Sequence, residues 1–225
     1  MTEQKTREPQ YQVVLEDADR RAELGLMINY AWDDDPRRLA FTFSRYKFIG
    51  KMLDGKDRVL EIGCGDGFVS RVVAQSVGSL TAMDFDPVFI EDAKRRATTE
   101  KWPISFGVHD ILTGPPEGTF DAIYSMDVME HIQTADEDIY LANICAALTD
   151  QGVAMIGMPS LESQAHASKL SKEGHVNCKT GPDLKTALAR HFHNVFLFSM
   201  NDEVVHTGYH KMAHYLIAMG VGPKR

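Results

Sequence analysis

Short apolar runs alternate with helix-like stretches through the middle of this chain. The runs read as strands, and the stretches between them have helical periodicity. In chain order they are "RVLEIG", Phe68 to Val77, "SLTAMD", Pro87 to Ala97, "ISFGVHD", "FDAIYSMD", Asp136 to Leu148 and "GVAMIGMP". Such alternation needs crossover connections, which produce a mostly parallel sheet with helices on both faces. We therefore predict an α/β fold.

The N-terminal segment has a different pattern. Apolar residues from Leu39 to Leu53 recur at helical spacing, and they predict a helix with Asp35 as its cap and Pro36 in its first turn. The preceding stretch "MINYAWDDDPRR" reads either as a lid that touches substrate or as an exposed turn, and the first ten residues are polar and expected to be loose. We predict a helical cap over residues 1–54 and one main domain over residues 55–225.

The C-terminal part contains a long gap in the alternation. The segment from Pro159 to Thr180 predicts a loop of about twenty residues, a length typical of functional or disordered segments. After it, "GPDLKTALARHF" predicts a helix, and "NVFLFSM" and "KMAHYLIAMG" predict two closing strands.

Charge and composition exclude several classes of protein. The formal net charge of -8 over 225 residues provides no general basic field for nucleic acid or an anionic membrane. No apolar run approaches the roughly 20 residues of a membrane span, and the first residues lack the apolar stretch of a signal peptide. The cysteines, Cys64, Cys145 and Cys178, form no CxxC pair. We expect a soluble cytoplasmic protein with reduced thiols that binds neither nucleic acid nor membrane.

Three glycines, Gly63, Gly65 and Gly67, lie between the first strand and the first helical stretch. Small residues there let a ligand approach the backbone, although a plain tight turn has the same spacing. A dinucleotide fingerprint would place its last glycine where Phe68 stands, and the carboxylates of Glu61 and Asp66 would repel a diphosphate. A ligand that carries an ammonium and a sulfonium suits an acidic turn better, and S-adenosylmethionine is such a ligand.

Acidic residues also end the second and third strands. Asp84 lies 21 positions after Gly63, where a carboxylate can accept hydrogen bonds from both ribose hydroxyls. The alternative role of Asp84 is a helix cap, for which Asp86 is the better candidate. Asp110 can reach the amine of an adenine with Ile111 against the ring, and its alternative role is to form a turn.

Taken together, these stretches resemble a known family. "VLEIGCGDGF", "AMDFDP", "VHDI", "FDAIYSMDVMEHI" and "GVAMIGMP" occur in the order and spacing of the class I S-adenosylmethionine-dependent methyltransferases, in the small-molecule group with a "DVLEH"-like motif. The resemblance covers roughly residues 57–160, and "EGHVNCKTGPDLKTAL" is similar to a later segment of many members. It implies a Rossmann-like sheet of seven strands, the last antiparallel, with the N-terminal segment over the substrate site.

The resemblance also implies a cofactor site. Its expected members lie beside the methionine part, the ribose, the adenine and the reacting methyl group. They are Glu61, Gly63, Cys64 and Gly65 for the first, Asp84 and Phe85 for the second, Asp110 and Ile111 for the third, and Met126 for the last.

Two histidines are candidates for the catalytic base. A hydroxyl or amine acceptor must lose a proton, and histidine titrates near neutral pH. His131 follows the fourth strand and His175 lies in the long loop. For His131 the alternative is a structural role at the strand ends, and for His175 it is an ordinary loop position.

A divalent cation is a further possibility at the same place. Asp127, Glu130, His131 and His175 resemble the E-x-x-E-H plus distant His set of small-RNA 2'-O-methyltransferases and some ubiquinone-biosynthesis O-methyltransferases. Carboxylate and imidazole ligands suit Mg²⁺ or Mn²⁺, although Asp127 is one methylene shorter than the usual Glu. Many similar proteins carry "DVLEH" without a metal requirement, so the metal stays open.

These patterns predict a methyltransferase that uses S-adenosylmethionine. The expected acceptor is an oxygen, less favourably a nitrogen, of a small polar metabolite such as a sugar derivative. The alternative from another class is a non-catalytic S-adenosylmethionine-binding partner or regulatory protein. A dehydrogenase and a nucleic-acid methyltransferase are less favoured, because of the acidic turn and the acidic composition respectively.

Overall fold

The structure, a computed structural model, describes residues 5–16, 21–98 and 101–225. Over these ranges eight strands form a single sheet. They are β1 (Arg58–Ile62), β2 (Ser79–Asp84), β3 (Ser105–Val108), β4 (Phe120–Met126), β5 (Leu148–Pro159), β6 (Phe192–Asn201), β7 (Val204–His206) and β8 (Tyr215–Pro223). The α-helices of the same ranges are α1 (Val13–Glu16), α2 (Leu26–Asp34), α3 (Arg37–Met52), α4 (Arg71–Ala74), α5 (Pro87–Ala97), α6 (Glu137–Ala147), α7 (Lys169–Gly174) and α8 (Gly181–His191).

The strand order in the sheet is β3-β2-β1-β4-β5-β8-β6-β7. Strands β1 to β5 pair in parallel, and β8 lies antiparallel between β5 and β6. The fold class is the one the sequence predicts, with a mostly parallel sheet and an antiparallel strand near one edge.

The expected count of seven strands is wrong by one short edge strand. Strand β7 pairs antiparallel with the end of β6, with Asn201 opposite Val204. The reversal takes two residues, and Asp202 adopts a left-handed φ of 48° in it, a conformation that Asp tolerates better than most residues. Three residues are too few to give an alternating pattern, so the sequence did not predict this hairpin.

Side chains of alternating direction bury both faces of the sheet. On β5, Ala154 and Ile156 belong to a core cluster with residues of α6 and α8, whereas Met155 belongs to the cluster beneath α3. Helices therefore cover both faces, as the near-continuous apolar character of the strands predicts.

The first crossover helix is much shorter than predicted. In place of a helix from Phe68 to Val77, only α4 is α-helical, and the flanking turns are closed by three-residue hydrogen bonds, such as Val72 N to Val69 O at 2.9 Å. Adjacent β-branched valines weaken helix propensity at this point. The next helix, α5, has the predicted bounds and the predicted cap, because Asp86 accepts the Val88 amide at 2.9 Å.

The predicted loop from Pro159 to Thr180 contains regular structure. It forms a 3₁₀ helix over Glu162–His166 and the helix α7. Ser168 caps α7 by accepting the Ser171 amide at 3.1 Å. The expectation of a segment without secondary structure is therefore wrong, because a serine cap sets off one short helical turn that apolar periodicity does not reveal.

At the N-terminus, α3 confirms the predicted helix, although Pro36 occupies the cap position and Asp35 accepts the Arg37 amide from just outside. A second helix, α2, occupies the stretch that the sequence left as lid or turn. Residues 1–4 and 17–20, which belong to the predicted cap, lie outside the described residues. None of the described helices has the length and apolar character needed to cross a membrane.

Candidate functional site

A cavity of about 810 Å³ opens at the carboxyl ends of the parallel strands. Its wall includes Gly63 after β1, Phe85 after β2 and Asp127 after β4. Small-molecule sites have volumes of about 300 to 1,000 Å³ and occur at this edge of open α/β sheets. The residues that follow the strands thus meet where the sequence places the cofactor.

The glycine turn forms one side of the cavity. Gly63 and Gly65 have φ angles of 76° and 53°, a left-handed region in which a Cβ atom is strained. Cys64 also lines the wall, and burial, aided by the nearby charge of Glu61, raises the pKa of its thiol. Cys64 therefore presents a thiol as packing surface rather than a reactive thiolate.

Asp84 lies at the end of β2 beside this turn. Its Oδ2 accepts the Gly65 amide at 2.8 Å, and its Oδ1 accepts the Asp86 amide at 2.9 Å. Each carboxylate oxygen has two lone pairs, so Asp84 can clamp the turn and still accept further bonds from the cavity. Its neighbour Phe85 lines the same wall and is 71% exposed.

The far end of the cavity contains the segment after β3. Asp110 and Ile111 both line it, and Met126 lines the floor at the end of β4. Asp110 Oδ1 also accepts the Leu112 amide at 2.9 Å. Both roles considered for Asp110 are thus compatible with its position, since it forms a turn and faces the cavity.

Glu61 lies beneath the turn and not on the cavity wall. It is 1% exposed, and its two oxygens accept the hydroxyls of Tyr46 at 2.6 Å and Tyr124 at 2.8 Å. Burial raises the pKa of Glu61, and the two hydroxyl bonds act in the opposite direction. The predicted contact of Glu61 with the methionine part does not fit this position. Its geometry instead links α3 to β1 and β4.

Asp66 fixes the start of α2. Its Oδ2 accepts the amides of Met27 and Ile28 at 2.7 Å and 3.0 Å, and its Oδ1 accepts the Phe68 amide at 2.9 Å. The carboxylate thus satisfies amides that the N-terminus of a helix leaves unpaired. The charge predicted to attract a cationic ligand is used to attach the N-terminal segment.

The sequence predicted a lid as one of two interpretations of the N-terminal segment, but it did not name the residues of α2 and α3 that reach the cavity. Six of their residues line it: Met27, Ile28, Ala31, Arg38, Thr42 and Tyr46. The signal was present in the spacing, because positions four residues apart lie on one face of a helix. The other face of α2 is open to solvent, with Tyr30 and Trp32 60% and 56% exposed.

Glu130, His131 and His175 come together beside the cavity, and His131 is the member that lines it. One ligand atom of each lies within 4.8 Å of the others, and the two imidazole ring centroids are 5.1 Å apart. His131 Nδ1 bonds the Gly174 carbonyl at 3.0 Å, and His175 Nδ1 bonds the Gln164 side-chain oxygen at 2.9 Å. Because those oxygens only accept, Nδ1 of each ring carries a proton, and the corresponding neutral tautomer has its lone pair at Nε2.

The Glu130 carboxylate is the unusual member of this cluster. Glu130 is 1% exposed, and neither carboxylate oxygen has a hydrogen-bond partner among the described residues. Burial raises the pKa of Glu130 well above its usual value, and the charge of Asp127 adds to this effect. A buried carboxylate left unpaired is costly, so its position calls for a charged or polar partner.

The long segment after β5 brings His175 to this place. The Glu130 carbonyl accepts the amides of Val176 and Asn177 at 2.8 Å and 3.0 Å. Further along, Lys179 Nζ lies 2.6 Å from a Glu137 oxygen on α6. Backbone pairing and a buried ion pair thus hold the segment, and His175 with it, against the ends of the strands.

Asp127, the fourth residue of the predicted metal set, has a different partner. Both of its oxygens accept Arg45 Nη1 of α3, at 3.1 Å and 2.8 Å. It lies outside the group of three ligand atoms described above. The structure therefore brings together three of the four predicted residues.

The sheet order, the glycine turn and the lined cavity define a Rossmann-like α/β fold. Two solved structures show the same fold. The N-methyltransferase NodS from Bradyrhizobium japonicum, in complex with S-adenosyl-L-homocysteine, is 18% identical with a TM-score of 0.64 over 95% of this chain and 98% of that one. A TehB-like methyltransferase from Corynebacterium glutamicum is 22% identical with a TM-score of 0.62 over 87% and 97%.

Sequence comparison finds similarity to methyltransferases. Residues 59–152 match the family described as Methyltransferase domain. The mitochondrial ubiquinone biosynthesis O-methyltransferase of Schizosaccharomyces pombe is 33% identical over 113 residues, 45% of this chain and 40% of that protein. The enzyme of the same name from Xanthomonas campestris is 26% identical over 138 residues, 56% of this chain and 54% of that protein.

Residues 59–152 are thus similar to the family described as Methyltransferase domain, and the whole chain has the fold of solved methyltransferase structures. The matches span about half the length of the curated relatives, 40% and 54% of the two proteins compared.

Proposed function

We propose that this chain transfers a methyl group from S-adenosylmethionine to an oxygen, less favourably a nitrogen, of a small polar metabolite. The observation that carries the proposal is that His131 lines the same cavity as the glycine turn and Asp84. A donor bound along the turn would thus share one space with an acceptor next to the histidines. The relatives named as O-methyltransferases support an oxygen acceptor.

In the proposed complex, the turn and strand ends hold the cofactor. Gly63, Cys64 and Gly65 would lie against the methionine part, Asp84 and Phe85 at the ribose, Asp110 and Ile111 at the adenine, and Met126 near the methyl group. Arg38 lines the same cavity and pairs with Asp34 at 2.8 Å, and its guanidinium would also pair with the carboxylate of the methionine part. Glu61 and Asp66 would support the site indirectly, by fixing α3 and α2 over it.

The proposed reaction needs alignment and one proton transfer. The acceptor oxygen attacks the methyl carbon in line, the new O–CH₃ bond forms as the S–CH₃ bond breaks, and the electron pair stays on sulfur. The proton of the acceptor goes to an imidazole. Burial, and then the neighbouring His131, lowers the pKa of His175, so this ring is neutral at physiological pH and ready to accept a proton.

A divalent cation fits the cluster of Glu130, His131 and His175. Within the described part of the chain, Glu130 supplies a buried carboxylate that has no hydrogen-bond partner. Each imidazole has its Nδ1 fixed by an oxygen acceptor, and its Nε2 can face an ion. Metal-bound histidines usually have this arrangement. Mg²⁺ or Mn²⁺ held there would lower the pKa of an acceptor hydroxyl. With both Nε2 atoms ligating the ion, the acceptor proton would leave to solvent water, whereas without the ion the histidines keep the role of base.

The acceptor and the location of the protein are finer parts of the proposal. A sugar derivative stays a prediction from the sequence, and the names of the relatives add intermediates of ubiquinone biosynthesis as candidates. A cytoplasmic location and the lack of nucleic-acid binding are likewise predictions. Because of these predictions, the assays below use free metabolites rather than nucleic acid as acceptors.

The experiment measures cofactor binding and turnover separately. Calorimetry gives the affinity for S-adenosylmethionine, and mass spectrometry detects S-adenosylhomocysteine formed with a library of sugar derivatives, ubiquinone-biosynthesis intermediates and amines. We expect binding, and product only in the presence of an acceptor. Binding without turnover on any acceptor would favour a non-catalytic binding protein. Tight NADH binding without S-adenosylmethionine binding would refute the cofactor.

The Gly65→Arg variant tests where the cofactor binds. A Cβ at Gly65 would adopt a φ of 53° and lie 2.6 Å from the Met27 sulfur, so a long side chain there fills the proposed methionine site. We expect loss of S-adenosylmethionine binding, and because a side chain at this φ is strained, circular dichroism of the same sample must show that the variant is folded. Unchanged affinity would refute this placement of the cofactor.

A further inference from the structure

The ion pair between Arg45 and Asp127 changes the composition of the proposed cation site. Asp127 directly follows β4, where an acidic side chain three positions before Glu130 is expected to join the ligands. Its two oxygens instead accept Arg45 Nη1 at 3.1 Å and 2.8 Å. The Arg45 side chain is 14% exposed and that of Asp127 38%, so the pair is partly shielded from water and is weakened less by salt than a surface pair.

Arg45 is itself held on a second side. Its guanidinium carbon lies 3.7 Å from the centroid of the Tyr215 ring, which is the geometry of a cation–π contact. Tyr215 belongs to β8, next to β5 in the sheet. The guanidinium is therefore fixed between an aromatic ring of the sheet and the Asp127 carboxylate, and it does not depend on Asp127 alone for its position.

The backbone also orients Asp127. Its φ is 58°, in the left-handed region that few non-glycine residues adopt, and its amide donates to the Gly157 carbonyl at 2.9 Å. The chain then enters the 3₁₀ turn Met129–His131, which carries Glu130 and His131. The backbone at Asp127 therefore orients its side chain independently of Glu130 and His131.

We propose that Arg45 withholds Asp127 from the cation site, so that the metal centre of this chain has three protein ligands: Glu130, His131 and His175. Arg45 is then a positioning residue that acts through Asp127. This inference rests on the cation site proposed above. An octahedral ion with three protein ligands keeps about three positions for water or for acceptor oxygens, against about two with a fourth ligand.

The test uses Mn²⁺ as the probe and the full chain. Electron paramagnetic resonance gives the affinity from the loss of the free-ion signal, and its pulsed forms count the water molecules on the bound ion. For the unmodified chain we expect about three waters. A count of about two waters would overturn the proposal. This measurement uses the unmodified chain and so does not depend on the folding of a variant.

The variants separate ligation from charge. Removing Arg45 and Asp127 together, as R45M with D127N, leaves the local net charge unchanged. We expect this double variant to alter Mn²⁺ affinity by less than about threefold, whereas Glu130→Gln lowers it by about tenfold or more, as loss of a ligand should exceed loss of an outer partner. Equal losses in the two proteins would refute the proposal.

Arg45→Met alone should release Asp127. The expected result is tighter Mn²⁺ binding with one water fewer on the ion, because the freed carboxylate becomes a ligand. An unchanged water count would contradict the role given to Arg45. Absence of Mn²⁺ binding to the unmodified chain would overturn both this inference and the cation site, whereas metal-free turnover with S-adenosylmethionine tests the methyltransferase proposal independently.

Discussion

Replacing Tyr46 by Phe tests how the N-terminal helix α3 is attached beneath the cavity. The Tyr46 hydroxyl donates to Glu61 at 2.6 Å, and both residues are buried. Phe keeps the ring, including its edge contact with Tyr124 at a centroid distance of 5.9 Å. The change therefore removes one donor to a buried carboxylate and little else.

The size of the effect follows from the type of bond. A hydrogen bond to a charged group contributes about 1.5 to 3 kcal/mol, which corresponds to a fall in melting temperature of about 3 to 12 °C for a chain of this length. Glu61 can limit the loss by taking up a proton, because burial already raises its pKa. We therefore expect the loss of stability at neutral pH to lie near the lower end of these ranges.

The assay is thermal and urea unfolding followed by circular dichroism, with S-adenosylmethionine affinity measured in parallel. Tyr209→Phe is the matched control, because Tyr209 is 62% exposed, and its free energy of unfolding should change by no more than about 0.5 kcal/mol. In a Glu61→Gln background the cost of Tyr46→Phe should shrink to that of a neutral bond, about 0.5 to 1.5 kcal/mol. An equal cost in both backgrounds would refute the reasoning.

Three further substitutions test other contacts. Burial raises the pKa of Glu61 above its unfolded value. The stability of the unmodified chain relative to the Glu61→Gln variant should therefore be greatest below about pH 4.5 and fall as the pH rises through the folded pKa. A difference in melting temperature that does not change with pH would contradict this. Asp66→Ala should cost about 0.5 to 2 kcal/mol through loss of the α2 cap and speed amide exchange in α2, with Asp66→Asn less affected because it keeps one acceptor; equal exchange in both would count against it. Lys179→Met removes a cation 2.6 Å from the buried Glu137 carboxylate. It should lower the melting temperature, and it should also lower Mn²⁺ affinity because the segment that carries His175 loosens. Unchanged Mn²⁺ affinity would argue against this coupling.

The sequence predicted the parts of the site that lie within single motifs. Each strand end was visible as an apolar run followed by a polar residue, and in a parallel sheet the carboxyl ends meet at one edge. Gly63, Asp84, Asp110 and Met126 therefore line one cavity as their order along the chain implies. Here local pattern and topology are enough, because the sheet itself does the positioning.

Partners that come from the N-terminal helices were beyond this reasoning. Asp66 bonds amides 38 and 39 positions earlier, and Asp127 pairs with a residue 82 positions earlier. An acidic residue in a motif gives no sign of whether its charge faces a ligand or an amide or guanidinium from a distant helix. The roles of Asp66 and Asp127 depend on that distinction, which only the packing of α2 and α3 decides.

The structure also changes the physical reason why the glycine turn is unsuited to a dinucleotide. Repulsion by Glu61 and Asp66 was the expected reason, but Glu61 is buried beneath the turn and Asp66 is bonded to the start of α2. A turn that binds a pyrophosphate offers it free backbone amides. Here the Gly65 amide donates to Asp84 and the Phe68 amide donates to Asp66. A diphosphate would have to displace two carboxylates of the protein, whereas a cationic donor leaves both bonds in place and gains the remaining acceptor capacity of Asp84. The turn therefore disfavours a diphosphate because its amides already donate to protein carboxylates. This reason holds even if burial keeps Glu61 protonated.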